Sequence, residues 1–198
     1  MTGALLVMIS TTQLAAGIQA VQDPWVPIGA ERAQKYAAAI QAAAERYQVD
    51  PFDLIGVARV ESLFRARDVG PDGKDCGIMQ TRTTVSRYSC RRLKNYRLGF
   101  LEGARELASF GKSCFGRPDF DRCRFNRYNG GIRYVRHGFH GRYWLRVMCF
   151  AKAARAGEAG GGCRDVRTRR GIARALTRPT RSVRRATSSR TARVLSRA

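Results

Sequence analysis

The sequence predicts a mainly α fold, in which a single helical domain is followed by a basic tail. Several stretches carry apolar residues at the three- and four-residue spacing of amphipathic helices, and few stretches alternate as half-buried strands do. A chain of 198 residues has room for one such domain with extensions at both ends. We place the domain at residues 31–160, after a lead segment at 21–30 and before a tail at 161–198.

The two clearest helices are predicted near the start of this domain. Residues 31–48 are rich in Ala, Glu, Gln and Arg, which favour helices. Residues 49–64 include Asp50, a typical N-cap residue, and Pro51, which suits the first helical position. The apolar spacing of this second helix places Glu61 near its carboxyl end.

Further helices are predicted at residues 95–110 and 141–155, where apolar residues recur on one helical face. In the first of these, that face is expected to contain Leu98, Leu101, Ala104 and Leu107. Turn-forming Gly-Pro and Asp-Gly pairs predict a loop at residues 67–76. Residues 111–123 are expected to be irregular.

The first twenty residues resemble the apolar part of a secretory signal. Cleavage after Gly17 or Ala20 would fit the small residues that such sites require, although a basic segment in front of the apolar run is missing. The alternative is a buried N-terminal helix of the mature protein. No other apolar run approaches the ~20 residues that span a bilayer.

The six cysteines predict disulfides in an oxidising compartment, and therefore an exported protein of the periplasm or cell envelope. None of them forms a Cys-x-x-Cys pair, so a structural zinc site is poorly supported. We expect neighbours along the chain to pair. The alternative is a set of free buried thiols in a cytosolic protein.

The net charge of +22 indicates an anionic partner or surface. From Arg164 to Ala198 the chain has twelve Arg and one acidic residue, a net charge of +11, and no aromatic residue. Such a composition cannot bury enough apolar surface to offset the entropy of ordering, so we expect a disordered tail. We expect the tail to contact anionic envelope polymers; weak non-specific nucleic-acid binding or a plain solvated tail are the alternatives.

Three short motifs carry the candidate chemistry. Glu61, followed by Ser62, ends an apolar helix beside a Gly-rich loop, where a half-buried carboxyl group can act as a general acid. The loop ends in "DCGIMQ", which supplies Met79 as an apolar wall and Gln80 as a hydrogen-bonding amide. The segment "RYNGG" adds the phenol of Tyr128 and the amide of Asn129. Acid, amides, phenol and apolar wall together suit a sugar-binding site.

These motifs, in this order, resemble the soluble lytic transglycosylase family of the lysozyme-like superfamily over residues 31–156. The forms "DCGIMQ" and "RYNGG" look closest to the specialised transglycosylases of conjugation and secretion systems, so the resemblance adds such an apparatus as a candidate partner of the tail. It implies a lysozyme-like (transglycosylase SLT-type) fold. It also implies that Glu61 is the single catalytic acid and base and that Ser62 helps to orient the acid or the sugar.

The resemblance further implies that Met79 and Gln80 form the floor of the glycan cleft, that Tyr128 is the phenol near the acid, and that Asn129 reads the muramoyl N-acetyl region. The implied reaction cleaves the bond between N-acetylmuramic acid and N-acetylglucosamine and leaves a 1,6-anhydro end. The expected partner is therefore the peptidoglycan glycan strand, bound by a monomer. Relatives usually have an aliphatic residue at the position of Thr81, so the resemblance does not predict how this residue packs.

Two other functions stay open, a lysozyme-type hydrolase and a catalytically idle glycan-binding domain. A hydrolase needs a second carboxylate, which Asp68, Asp72 or Asp75 could provide unless they only form turns. No cofactor is predicted, and no metal. His137 and His140 lack an evident third ligand, and the loop lacks the aspartate spacing of an EF-hand.

Overall fold

The computed structural model describes residues 9–131 and 142–163. Over these residues the fold is mainly α, as the sequence predicts. The helices are α1 (Thr11–Val21), α2 (Ala30–Tyr47), α3 (Pro51–Glu61), α4 (Cys90–Leu93), α5 (Tyr96–Cys114), α6 (Phe120–Gly130) and α7 (Tyr143–Ala156). Two short strands, β1 (Asp75–Cys76) and β2 (Thr81–Arg82), pair antiparallel, and a 3-10 helix covers Gly160–Cys163.

Helix α3 is the centre of the domain. It begins as predicted, because Asp50 caps it by accepting a hydrogen bond from the Phe52 N–H at 2.9 Å and Pro51 occupies its first turn. Its residues are buried on almost every side, and its most extensive packing is against α7. A helix buried in this way holds its last residue, Glu61, in a fixed place.

Helix α1 is part of the same core. Leu14 and Ile18 are fully buried, and α1 packs against both α2 and α7. The buried Arg59 of α3 donates to the Val21 carbonyl at 2.6 Å and forms an ion pair with Asp23 at 3.1 Å, which fixes the end of α1. This burial favours the alternative reading of the N-terminus, a helix that belongs to the folded domain. Removal of residues 1–20 as a signal stays a prediction.

Two sequence-based expectations for α5 and α6 were wrong in detail. The buried face of α5 contains Phe100, Ala104 and Leu107 but also Glu102 and Glu106, whereas Leu98 and Leu101 are only partly buried. Residues 111–123 are not irregular throughout, because α5 continues to Cys114 and α6 begins at Phe120. Helix α6 has few apolar residues and therefore lacks the spacing that reveals a helix.

Three disulfides join neighbouring cysteines, as predicted. They are Cys76–Cys90, Cys114–Cys123 and Cys149–Cys163. The last one ties the 3-10 helix to α7, so residues 161–163, at the start of the predicted tail, are anchored to the domain. The predicted tail from Arg164 onward and the two histidines lie outside the described residues.

No described helix combines the length and the apolar character that a membrane span requires. Among residues 9–131 and 142–163 there is also no cluster of His, Cys, Asp and Glu side chains that would hold a metal ion.

Candidate active site

A cleft of about 730 Å³ brings together four of the residues that the sequence singled out. Glu61, Gln80, Tyr128 and Asn129 all line it, although they come from α3, the hairpin loop and the end of α6. The same cleft is lined by three arginines (Arg82, Arg105, Arg127) and by two further acids (Asp75, Glu106). Acidic, cationic and amide side chains therefore meet in one groove.

Glu61 carries a strongly perturbed acid–base group in this cleft. Burial raises the pKa of its carboxyl group from 4.5 to about 7, and the negative charge of Asp75 adds to this effect. The phenol of Tyr143 donates a hydrogen bond to Glu61 Oε1 at 2.5 Å, which opposes the increase by stabilising the ionised form. At neutral pH the group is thus balanced between its protonated and ionised forms.

Tyr143, at the start of α7, is a residue that the sequence reasoning missed as part of the site. We expected Tyr128 to be the phenol beside the acid, but its hydroxyl donates instead to the Met79 carbonyl at 2.9 Å. Burial raises the pKa of both phenols well above 10, so both remain hydrogen-bond donors. The only sequence signal for Tyr143 was a tyrosine at the start of a predicted helix.

The "GIMQ" segment is held in place by contacts with α4 and with the end of α3. Gly77 has φ +79°, and a Cβ at this position would lie 2.2 Å from the Leu93 carbonyl oxygen, so only glycine fits. Ser62 is 1% exposed, and its hydroxyl donates to the Ile78 carbonyl at 2.7 Å. Ser62 therefore connects the end of α3 to this loop and does not itself face the cleft.

Met79 and Gln80 have different places in the site. Met79 is fully buried against Gly103 of α5, so it supports the floor of the cleft from beneath. Gln80 lines the cleft, with its backbone at φ +45° and its side-chain amide donating to the Gly77 carbonyl at 2.8 Å. Thr81 is 1% exposed and lies on β2 opposite Cys76, whose disulfide to Cys90 anchors the motif.

The loop aspartates are largely engaged with arginines. Asp68 pairs with Arg65 at 2.7 Å, and Asp72 and Asp75 both pair with Arg82, at 2.9 and 3.1 Å. Of the three, only Asp75 lines the cleft. Asp68 and Asp72 thus form ion pairs close to the loop, as expected of residues that stabilise its turns.

The other carboxyl group in the cleft, Glu106, was also missed by the sequence reasoning. It lies on the buried face of α5 and is 8% exposed. Burial raises its pKa to about 7, and Arg105 only partly offsets this effect. An acid at the edge of an apolar helical face was the one signal available, and it is a weak one.

Comparison with known proteins gives a family match over part of the chain. Residues 38–98 match the transglycosylase SLT domain family, and this span contains Glu61, Ser62, Met79 and Gln80. Tyr128 and Asn129 lie beyond it. No curated protein and no solved structure is significantly similar to the chain.

The match supports a glycan-cleaving enzyme of the transglycosylase and lysozyme type that acts on peptidoglycan. The three disulfides fit its action in an oxidising compartment, outside the cytoplasm. Over residues 38–98, about a third of the chain, the match supports the resemblance to the soluble lytic transglycosylases of the lysozyme-like superfamily.

Proposed function

We propose that this protein is a lytic transglycosylase that cleaves the β-1,4 bond between N-acetylmuramic acid and N-acetylglucosamine in peptidoglycan. Glu61 acts as its single acid and base. The observation that carries the proposal is the environment of that carboxyl group, because burial beside the cleft raises its pKa to about 7. A carboxyl group that is still protonated near neutral pH can give its proton to a leaving oxygen.

The reaction needs no water. Glu61 protonates the glycosidic oxygen as the bond from that oxygen to muramoyl C1 breaks. The C6 hydroxyl of the same muramoyl residue then attacks C1 through its oxygen and gives its proton to the Glu61 carboxylate. The new C1–O6 bond closes a 1,6-anhydro ring, and Glu61 is again protonated for the next cycle.

The hydrogen bond from Tyr143 serves the second half of this cycle. It stabilises the Glu61 carboxylate that exists between the two proton transfers, and it holds the carboxyl group in one orientation. We assign sugar binding to Gln80 and Asn129, whose amides line the cleft, and to Tyr128 as part of its wall. Ser62 and Met79 act as supports of the cleft floor, through the contacts described above.

Lysozyme-type hydrolysis is the second candidate function. It requires another carboxylate near the bond, to stabilise the cation or to activate a water molecule. Asp75 and Glu106 line the same cleft as Glu61, and this observation supports hydrolysis as the second candidate. The two reactions differ in their products, since hydrolysis leaves reducing muramic acid ends.

We place the enzyme in the periplasm or cell envelope, where peptidoglycan lies. An anionic envelope polymer is proposed as the partner of the basic tail because of the tail's charge, and a secretion or conjugation apparatus because of the resemblance to the specialised transglycosylases.

Mass spectrometry of the fragments released from purified peptidoglycan tests the proposal. The wild-type protein should release anhydro-ended fragments, Glu61→Gln should release none, and Glu158→Gln, at an exposed glutamate, should match the wild type. Reducing ends would replace the transglycosylase by a hydrolase. No release by the wild type, despite sedimentation with the cell wall, would leave only a binding domain.

A further inference from the structure

Two glutamates one turn apart on α5 have opposite surroundings. Glu102 is fully buried and accepts hydrogen bonds from the Ser86 hydroxyl at 3.1 Å, the Arg87 N–H at 3.0 Å and Arg105 Nη2 at 2.9 Å. Burial opposes its charge, but these donors outweigh burial and lower its pKa. Glu102 therefore has a complete structural role, in which it fastens the segment at residues 84–88 to the helix.

Glu106 has no such partners. Its Oε1 atom is buried without a hydrogen bond, and the nearest cation, Arg105 Nη2, lies 3.8 Å away and is already bonded to Glu102. A buried carboxyl group in this state destabilises the folded protein, because one distant and shared cation does not replace the hydrogen bonds to water that the group has lost. The contacts of Glu106 therefore stabilise the fold far less than those of Glu102 do.

The position of Glu106 indicates what completes it. It lines the cleft that holds Glu61, and Arg127 on the same cleft likewise has a buried nitrogen, Nε, without a hydrogen-bond partner. Unsatisfied buried polar groups that gather in one cleft are typical of a site whose ligand is absent. A sugar supplies the missing donors, since its hydroxyl and acetamido N–H groups can both bond to a carboxylate.

We propose that Glu106 is a further substrate-binding residue, whose carboxyl group accepts a hydrogen bond from a hydroxyl or acetamido group of the glycan strand. This assignment rests on the proposed function, because it takes the cleft to be a glycan site. Glu106 contributes to affinity and specificity, while the proton transfers remain with Glu61.

Calorimetric binding to soluble glycan strands, freed of their stem peptides, tests this assignment. The parent protein is Glu61→Gln, so that the strands stay intact. Adding Glu106→Leu to this parent should weaken binding by about ten-fold, which is the contribution expected of one hydrogen bond to an ionisable group. It should also raise the Tm at pH 8, because it removes a buried carboxylate whose Oε1 atom lacks a hydrogen bond. Weaker binding together with a higher Tm indicates a binding role, because the loss of a structural role would lower the Tm.

Two further variants make the result decisive. Glu102→Gln is the matched control, and it should lower the Tm because it weakens a satisfied network. Glu106→Gln keeps the side-chain volume, and with the charge removed it should weaken binding by about three-fold; it decides the matter if Glu106→Leu does not fold.

Unchanged affinity of a folded Glu106 variant would overturn the inference while leaving the enzyme intact. Failure of the proposed function would look different, since the wild type would then release no anhydro-ended fragments, whether or not the Glu61→Gln parent binds strands.

Discussion

The replacement of Tyr143 by Phe tests the assignment of Glu61 as the acid most directly. The phenol donates to Glu61 Oε1 at 2.5 Å and so lowers a pKa that burial holds at about 7. A hydrogen bond to a charged group contributes about 1.5–3 kcal/mol. Since about 1.4 kcal/mol corresponds to one pH unit, loss of this bond should raise the pKa of Glu61 by about one to two units.

The consequence is a displaced pH profile. Glu61 must be protonated to donate to the leaving oxygen, so the activity of the wild type should fall as the pH rises through about 7. In Tyr143→Phe this alkaline limb should move to higher pH by about one to two units. Asp75→Asn should move it to lower pH, because the charge of Asp75 raises the pKa of Glu61.

The assay is the initial rate of fragment release from purified peptidoglycan between pH 5 and 10. Tyr128→Phe is the matched control, since it removes a phenol of the same cleft whose hydrogen bond goes to the Met79 carbonyl and not to Glu61. Its alkaline limb should coincide with that of the wild type. The reasoning is refuted if Tyr143→Phe leaves the limb in place, or if Tyr128→Phe moves it as far.

Three further predictions concern stability. The folded pKa of Glu61 is raised from 4.5 to about 7, so the wild type loses stability as the pH rises through this window. In urea unfolding, the free energy of unfolding of Glu61→Gln should equal that of the wild type at pH 4 and exceed it at pH 8 by up to about 3 kcal/mol. Equal curves at pH 8 would contradict the assigned burial. Leu14→Ala should cost about 2–5 kcal/mol in the same assay, whereas an N-terminal segment outside the fold would show no change. Replacing Cys76 and Cys90 together by Ala should cost about 3 kcal/mol and reduce fragment release, and full activity of this variant would show that the motif needs no anchor.

Much of the fold follows from interactions that are short along the chain. The start of α3 depends on Asp50 and on Pro51 beside it, and both are visible in the sequence. Neighbouring cysteines pair because helices and short loops return the chain within a few residues, as with Cys114 and Cys123. Such signals are local, and local signals are what sequence patterns record.

At the N-terminus a local signal leaves two interpretations open. An apolar run of small residues is what an export signal and a buried helix both require, since each must leave water for an apolar environment. The contacts that bury α1 come from far away, with Arg59 reaching the end of α1 from α3, 38 residues along the chain from Val21. No pattern within the first twenty residues contains that information.

The proposed catalytic centre combines both kinds of information. Glu61, Gln80 and Asn129 could be proposed from the sequence because their motifs are short and ordered, whereas Tyr143 reaches Glu61 from 82 residues away. Tyr128 and Tyr143 are equally good phenols in the sequence. Only the packing of α3 against α7 determines that Tyr143 meets the acid.

Within a single helix, Glu102 and Glu106 differ for the same reason. They are chemically identical, lie four residues apart and share a buried face, so periodicity treats them alike. Their difference comes from the segment at residues 84–88, which supplies donors to Glu102 and stops short of Glu106. A protein that had only its own stability to maintain would gain from an apolar residue at position 106. We therefore interpret this carboxyl group, whose Oε1 atom is buried without a hydrogen bond on the wall of the cleft, as a cost of binding the glycan.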